Sequence, residues 1–268
     1  MHPNAFFGER FRVSMMYDLQ KAGLLKRASA WILDMILLVV LVTGIATVLS
    51  SVLHFDSYTQ AVADCQAQYE SRYGVKFELT QEEYDALTEQ EKLELEDAYA
   101  QFAKDPTAVY NYNMIVSLSM LILSVSVLFG FLGLEFAVPL LFGNGQTIGK
   151  KVFGIAVMKQ NSVRINAVTL FVRTVLGKFT FEAMLPLLII LMMVLGLIGI
   201  VGPAVILALL LVELVLMVTS RTNATIHDKL AQTVAVDMHS QMIFASEEDL
   251  IAHKQRCHEE MVRNKPYL

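Results

Sequence analysis

Three carboxylates stand alone in three long apolar stretches. Asp34 is the one charged residue of 29–53, Glu135 of 113–142 and Glu213 of 183–220. An acid inside an apolar helix costs about 2.5–3.5 kcal/mol on insertion scales and usually faces a partner or a cavity. Two kinds of chemistry are open to them. If they converge at one level they raise one another's pKa, which suits proton or cation exchange. If they stay apart, each is protonated and hydrogen-bonds a neighbouring helix. Asp34 lies seven residues after Arg27, Glu135 eight before Gly143 and Glu213 eight before Arg221. At 1.5 Å per residue each is about 10–12 Å from the same end of the spans. One shared proton- or cation-binding site of Asp34, Glu135 and Glu213 is therefore the sharper expectation, with no Lys, Arg or His inside a span to neutralise it. Pro139 removes an amide that would have bonded the carbonyl of residue 135, which would leave a free carbonyl beside a carboxylate. An ordinary proline kink is the commoner explanation.

The elements that must position these acids follow from composition. The 268 residues are 55% hydrophobic and 18% charged, where a soluble domain runs nearer a quarter charged. The apolar residues are blocked into runs, and about 20 suffice to span a bilayer core. This excludes a soluble enzyme, a disordered chain and a nucleic-acid-binding module. The 38 residues of 183–220 would make about 57 Å of helix, far beyond a core of roughly 30 Å. Gly199 to Pro203 breaks that run, since Gly ends helices and Pro is tolerated in the first turn of the next. The expected fold is an all-α, multi-pass bundle of four transmembrane helices: 29–53, 113–142, and a pair within 179–220 at about 180–199 and 203–219.

Charge orients them. Residues 1–28 carry five Lys/Arg against two acids, and 143–178 carry six against none. Residues 54–112 carry four against thirteen. Cytoplasmic loops are rich in Lys and Arg. Segment 1–28, loop 143–178 and tail 221–268 are expected in the cytoplasm, and 54–112 outside as an acidic helical insertion. Thr80–Glu83 and Thr88–Glu91 match capping boxes there, and Pro106 ends the helical pattern. Within the basic loop, Val163 to Phe181 interleaves Arg164, Arg173 and Lys178 with apolar residues. Together with Lys150 and Lys151 this reads as an interfacial helix on anionic lipid. Cys65 and Cys257 fall on opposite sides of the membrane and cannot pair.

Three stretches resemble one known family when taken together. Lys26-Arg27-Ala-Ser-Ala-Trp31-Ile-Leu-Asp34 opens the first span. Gly145-Gln-Thr-Ile-Gly149-Lys150-Lys151-Val-Phe-Gly154 follows the second, and Thr225-Ile-His227-Asp228-Lys229-Leu-Ala-Gln-Thr233 follows the last. The chain resembles the RDD family of bacterial membrane proteins, named for one arginine and two aspartates, over about 20–53 and 113–238. Carried over, those residues are Arg27, Asp34 and Asp228. Gln232 departs from the pattern, standing where a glycine is expected. The resemblance implies a multi-pass protein of the bacterial plasma membrane, with transport, and for some members cation/proton exchange, suggested as activity.

Other motifs carry less. Gly143 to Lys151 looks like a phosphate loop, but Asn144 replaces a required glycine and Lys151 a required Ser or Thr. His227-Asp228 is a lone dipeptide, and His253, Cys257 and His258 are soft ligands in a charged tail. No catalytic constellation, metal centre or cofactor is expected. The expected partners are the bilayer, monovalent cations and protons, and further copies of the chain, because four helices form a thin wall for a solute path. The rival reading is a non-transporting membrane adaptor or assembly subunit whose acids only fasten helices. An Arg27–Asp228 pair at the inner rim, restored by reversing both charges, is a further expectation.

Overall fold

The computed structural model describes residues 19–263, apart from 195 and 221. Arg10, Arg12 and Arg221, counted in the charge argument, lie outside the described residues. In chain order the elements are α1 (Leu24–Val52), α2 (Phe55–Tyr73), α3 (Gln81–Asp85), α4 (Glu89–Phe102), α5 (Pro106–Phe142) and α6 (Ile148–Val152). There follow β1 (Ile155–Lys159), α7 (Ala167–Val194), α8 (Val201–Thr219), α9 (Ile226–Leu230), β2 (Thr233–Asp237) and α10 (Glu247–Arg263). Helices α1, α5, α7 and α8 are long and apolar enough to cross a membrane. The protein is an all-α multi-pass membrane protein with one small sheet.

The chain forms two compact units, one of residues 39–130 and one of the rest. The first contains the acidic insertion. Both capping boxes form there: the amides of Thr80 and Thr88 donate to Glu83 and Glu91 at 2.8 and 2.7 Å, and each Thr hydroxyl accepts in return. Gly74 closes α2 in the left-handed region, where a Cβ is disfavoured. The segment folds on Phe77, Leu95 and Ala98, flanked by Tyr69, Tyr73 and Phe102. The Phe77 and Tyr99 rings stack at 4.2 Å, and the Tyr99 hydroxyl donates to the Phe77 carbonyl. Asp105 begins α5 by accepting from the amides of Thr107 and Ala108, and its carboxyl is held below the usual range.

The second unit holds the sheet, α7 and α8 whole, and one end each of α1 and α5. β1 and β2 pair antiparallel, Ile155 opposite Asp237 and Lys159 opposite Thr233. Both faces are covered. Ala156, Met158, Val234 and Val236 pack with Leu19 and Ile243 on one side, while Ile155 and Ala235 meet Ala22 and Ala30 on the other. A strand buried on both faces shows no alternation, which is why residues 155–159 read as plain loop in the sequence.

The third span begins earlier than its apolar run. Asn166 caps it by accepting from the Thr169 amide, and the helix runs unbroken from Ala167 to Val194. The stretch expected as a separate interfacial helix is the first half of this span. Gly196 and Gly199 take left-handed backbone in the turn that follows, and Pro203 lies in the first turn of α8. Two helices contain π turns, in which each amide bonds five residues back: Leu132–Ala137 in α5 and Val172–Met184 in α7.

Candidate functional site

The π stretch of α7 decides which side chains meet. Arg173 and Glu182 are nine residues apart, two and a half turns of an α-helix, and would point to opposite sides. The wider π turn brings both to one side, where each touches His227 of α9. The Glu182 carboxylate contacts Nδ1, and Arg173 Nη2 lies 3.2 Å from Nε2. A carboxylate accepts and a guanidinium donates, so Nδ1 is the ring nitrogen that carries a proton toward Glu182. α9 sits tightly against α7 because residue 177 is glycine; a Cβ there would lie 2.7 Å from the His227 Cβ.

Asp228 follows and has no exposed surface. Its Oδ1 accepts from Arg173 Nε at 3.1 Å and Nη2 at 2.7 Å, and its Oδ2 from Arg27 Nη2 at 3.1 Å. Thr225 and Thr233 hydroxyls donate as well. Arg27 also donates to the Asn223 carbonyl. Burial alone would raise the Asp228 pKa; Arg173, then His227 and Arg27, outweigh it and hold the carboxyl far below the usual range.

Asp34 serves another element. Its Oδ2 accepts from the Thr147 hydroxyl at 2.5 Å and its Oδ1 from the Gly149 amide at 2.7 Å. Thr147 in turn caps α6 by accepting from the Lys150 amide. The loop lies so close to α1 that a Cβ at Gly149 would stand 2.3 Å from the Ala30 carbonyl oxygen and 2.9 Å from Asp34 Cγ.

Glu135, 4% exposed, pairs with Lys178 of α7, and Lys150 Nζ stands 4.0 Å from its other oxygen. Burial pushes the Lys150 ammonium down to about 8; Arg173 and Lys178 add to this, and Glu135 and Asp34 oppose it. Val138 N–H bonds the Gly133 carbonyl, so Pro139 enters after the hydrogen-bond ladder has already changed register.

The three span acids thus have separate partners: Asp34 the loop at 147–149, Glu135 two lysines, and Glu213 the neighbourhood of Glu182 and His227, where the donor atoms of all three lie within 4.8 Å of one another. One Glu213 oxygen is buried with no hydrogen-bond partner. The premise that no cation lies within a span does not hold, because α7 includes Arg173 and Lys178. Of the five cations expected at lipid, Lys151 and Arg164 are exposed, with Lys151 Nζ 3.8 Å over the Phe142 ring. Arg173 is 3% exposed, and Lys150 and Lys178 turn inward to Glu135. Buried carboxylate partners explain why these three do not need the interface. Glu182, His227, Thr147 and Gly149 were not singled out from sequence as site residues. Glu182 sat one residue outside the counted apolar run, and the α-helical period put it opposite Arg173.

Of the residues that the resemblance carries over, Arg27 and Asp228 belong to this ion cluster and Asp34 fastens the loop at 147–149. A family model described as the RDD family matches residues 21–232. The chain belongs to the RDD family. The match contains every residue of the ion cluster, from Arg27 to Asp228, and ends before β2 and α10. Comparison with curated proteins and with solved structures gives no match. In this RDD protein the arginine and the second aspartate bind one another, and the first aspartate fastens the loop before β1.

Proposed function

We propose that this RDD protein is transport-related and exchanges a cation for protons, the cation being held by carboxylates of its spans. The observation that carries this is the meeting of Glu182 from α7 with Glu213 from α8. Among the described residues neither has a Lys or Arg within ion-pair distance, and a Glu213 oxygen is buried without a donor. Two carboxylates inside spans without a Lys or Arg partner are costly, and a cation between them relieves that cost. Lys150 beside Glu135 supports the proton half, as a half-buried ammonium whose pKa is pushed down to about 8 by burial. The wall of four helices favours a homo-oligomer around the path.

The test is flux. Protein reconstituted in liposomes that enclose a pH-sensitive dye should move protons when a gradient of Na⁺, K⁺ or Mn²⁺ is imposed. Glu213→Gln should abolish the movement and Lys150→Met should reduce it, with the protein still folded. No flux with any of these cations, or flux unchanged by Glu213→Gln, overturns the reading. A second reading, a membrane adaptor, is favoured by one observation: Asp34, Glu135 and Asp228 are all engaged in fastening elements together. It expects no flux at all.

The charge asymmetry supports a plasma-membrane orientation with both ends and the 143–166 loop in the cytoplasm. Both native cysteines are buried and make poor reporters, so exposed positions should be used. In a background lacking Cys65 and Cys257, a membrane-impermeant thiol reagent should label Glu89→Cys on intact cells and Glu259→Cys only after permeabilisation. Labelling of Glu259→Cys on intact cells overturns the orientation.

A further inference from the structure

We propose that Glu182, Glu213 and His227 form a binding site for one divalent transition-metal ion of the Mn²⁺, Fe²⁺, Co²⁺ and Zn²⁺ class. This deepens the cation reading above by naming the class of cation, and rests on that reading only for the step from binding to transport.

Geometry is the first support. The nearest donor atoms of the two carboxylates and the imidazole lie within 4.8 Å of one another. Metal–ligand bonds to His nitrogen and carboxylate oxygen are about 2.0–2.2 Å, so an ion among the three atoms reaches all of them with small side-chain rotations. The three come from separate elements, α7, α8 and α9, and Glu182 and His227 are each placed by something other than an ion. The π turn aims Glu182, Gly177 allows α9 to approach, and Asp228 anchors the residue beside His227.

The second support is independent of the clustering. Glu213 has a buried carboxylate oxygen with no hydrogen-bond donor, although the neighbouring carboxylate of Asp228 takes donors from two arginines and two threonines. Buried polar groups without partners are uncommon, and an absent ion is one of the standard explanations.

The ligand types select the metal. Ca²⁺ and Mg²⁺ take oxygen ligands, whereas imidazole suits first-row transition ions. Two carboxylates also match the charge of a dication. With Nδ1 on the metal, His227 would carry its proton on Nε2, where the Thr225 hydroxyl oxygen 3.0 Å away can accept it, and the Arg173 Nη2 contact at 3.2 Å would have to open. Metal-bound histidines commonly hold their second nitrogen in this way. Glu182 has a side chain 24% exposed, which leaves the site reachable, and three protein ligands leave coordination positions open for solvent or release.

The experiment uses the full chain, purified in detergent, stripped with a chelator and titrated with Co²⁺ alone. Visible absorption reports cobalt coordination, and calorimetry with Mn²⁺ and Zn²⁺ reports stoichiometry. One ion per chain is expected. Glu213→Gln should weaken it by about a hundredfold, and this variant should fold because the oxygen it alters makes no hydrogen bond. His227→Gln should remove the cobalt spectrum, size-exclusion profiles confirming that both variants are folded. Glu259→Gln in α10 should bind as the wild type does. Equal affinity in wild type and Glu213→Gln, or equally tight binding of Ca²⁺, overturns the site. Proton movement in liposomes without cobalt binding overturns the metal site and leaves cation exchange standing. Cobalt binding without flux supports the metal site and overturns the exchange reading.

Discussion

Asp228→Asn should destabilise the protein by about 3–5 kcal/mol, the cost of breaking a buried ion pair from one side. Total stabilities of domains are about 5–15 kcal/mol, so little monodisperse protein should survive extraction. The substitution leaves two guanidiniums facing an amide. The amide oxygen can still accept from Arg173, but Arg173 is buried and loses its charge partner, while the new NH₂ faces the donors of Arg27 and Thr225; Arg27, with a side chain 12% exposed, is the better solvated of the two arginines. The order of loss in thermal unfolding should therefore be Asp228→Asn, then Arg173→Met, then Arg27→Met. This geometry also alters the outcome expected for charge reversal. Arg27→Asp with Asp228→Arg recreates one pair but sets the new guanidinium against Arg173, so the double variant should be no better than Asp228→Arg alone. Recovery in the double variant would mean that Arg173 is not a partner of Asp228. Acid gives an independent check. A carboxyl held below its unfolded pKa of about 3.9 contributes stability above that pH and loses it as pH falls further. Asp228→Asn should remove that part of the acid sensitivity.

The features read correctly from sequence were those set by local rules or by the bilayer. Runs of more than 20 apolar residues specify spans because core thickness specifies length. Thr80, Glu83, Thr88 and Glu91 specify caps because donor and acceptor are three residues apart in the chain. The expected placement of Arg27 and Asp228 at one end of the first and last spans also suggested their contact. The remaining features depend on partners distant in sequence. Arg173 and Lys178 look like lipid-facing cations in any window of α7, and only Asp228 and Glu135 make them interior residues. Val157 and Val234 show no alternation because other elements cover both sheet faces. The greatest loss came from helical period. Arg173 and Glu182 share a side only in a π register, and a 3.6-residue period would separate them. The rise per residue gave Asp34, Glu135 and Glu213 a common depth as an expectation. Depth alone could not reveal that a loop amide, a lysine and a histidine would each claim one of them.

Gly149→Ala and Asp34→Asn, taken together, should separate fastening from transport. A methyl at Gly149 would stand 2.3 Å from the Ala30 carbonyl oxygen, and backbone on both sides must move to admit it. Overpacking of this kind costs about 1–3 kcal/mol or more. Here it also pulls the Gly149 amide from Asp34, leaving buried groups unpaired at about 1–3 kcal/mol each. Gly149→Ala should therefore lose much of its folded protein, as should Asp34→Ala, which strands the Thr147 hydroxyl and the Gly149 amide together. Asp34→Asn is the informative change. Its amide oxygen can still accept from Gly149, and its NH₂ can donate to the Thr147 oxygen, so the loop stays in place for about 1 kcal/mol. If Asp34 were a cycling proton or cation ligand, this substitution would abolish flux in a folded protein. If it is the fastener the hydrogen bonds describe, liposomes containing Asp34→Asn should retain most of the wild-type proton movement while Glu213→Gln loses it. The two variants remove one carboxylate charge each, so a difference between them cannot come from net charge. Loss of flux in folded Asp34→Asn would return Asp34 to the transport path and reduce the Thr147 and Gly149 contacts to its resting state.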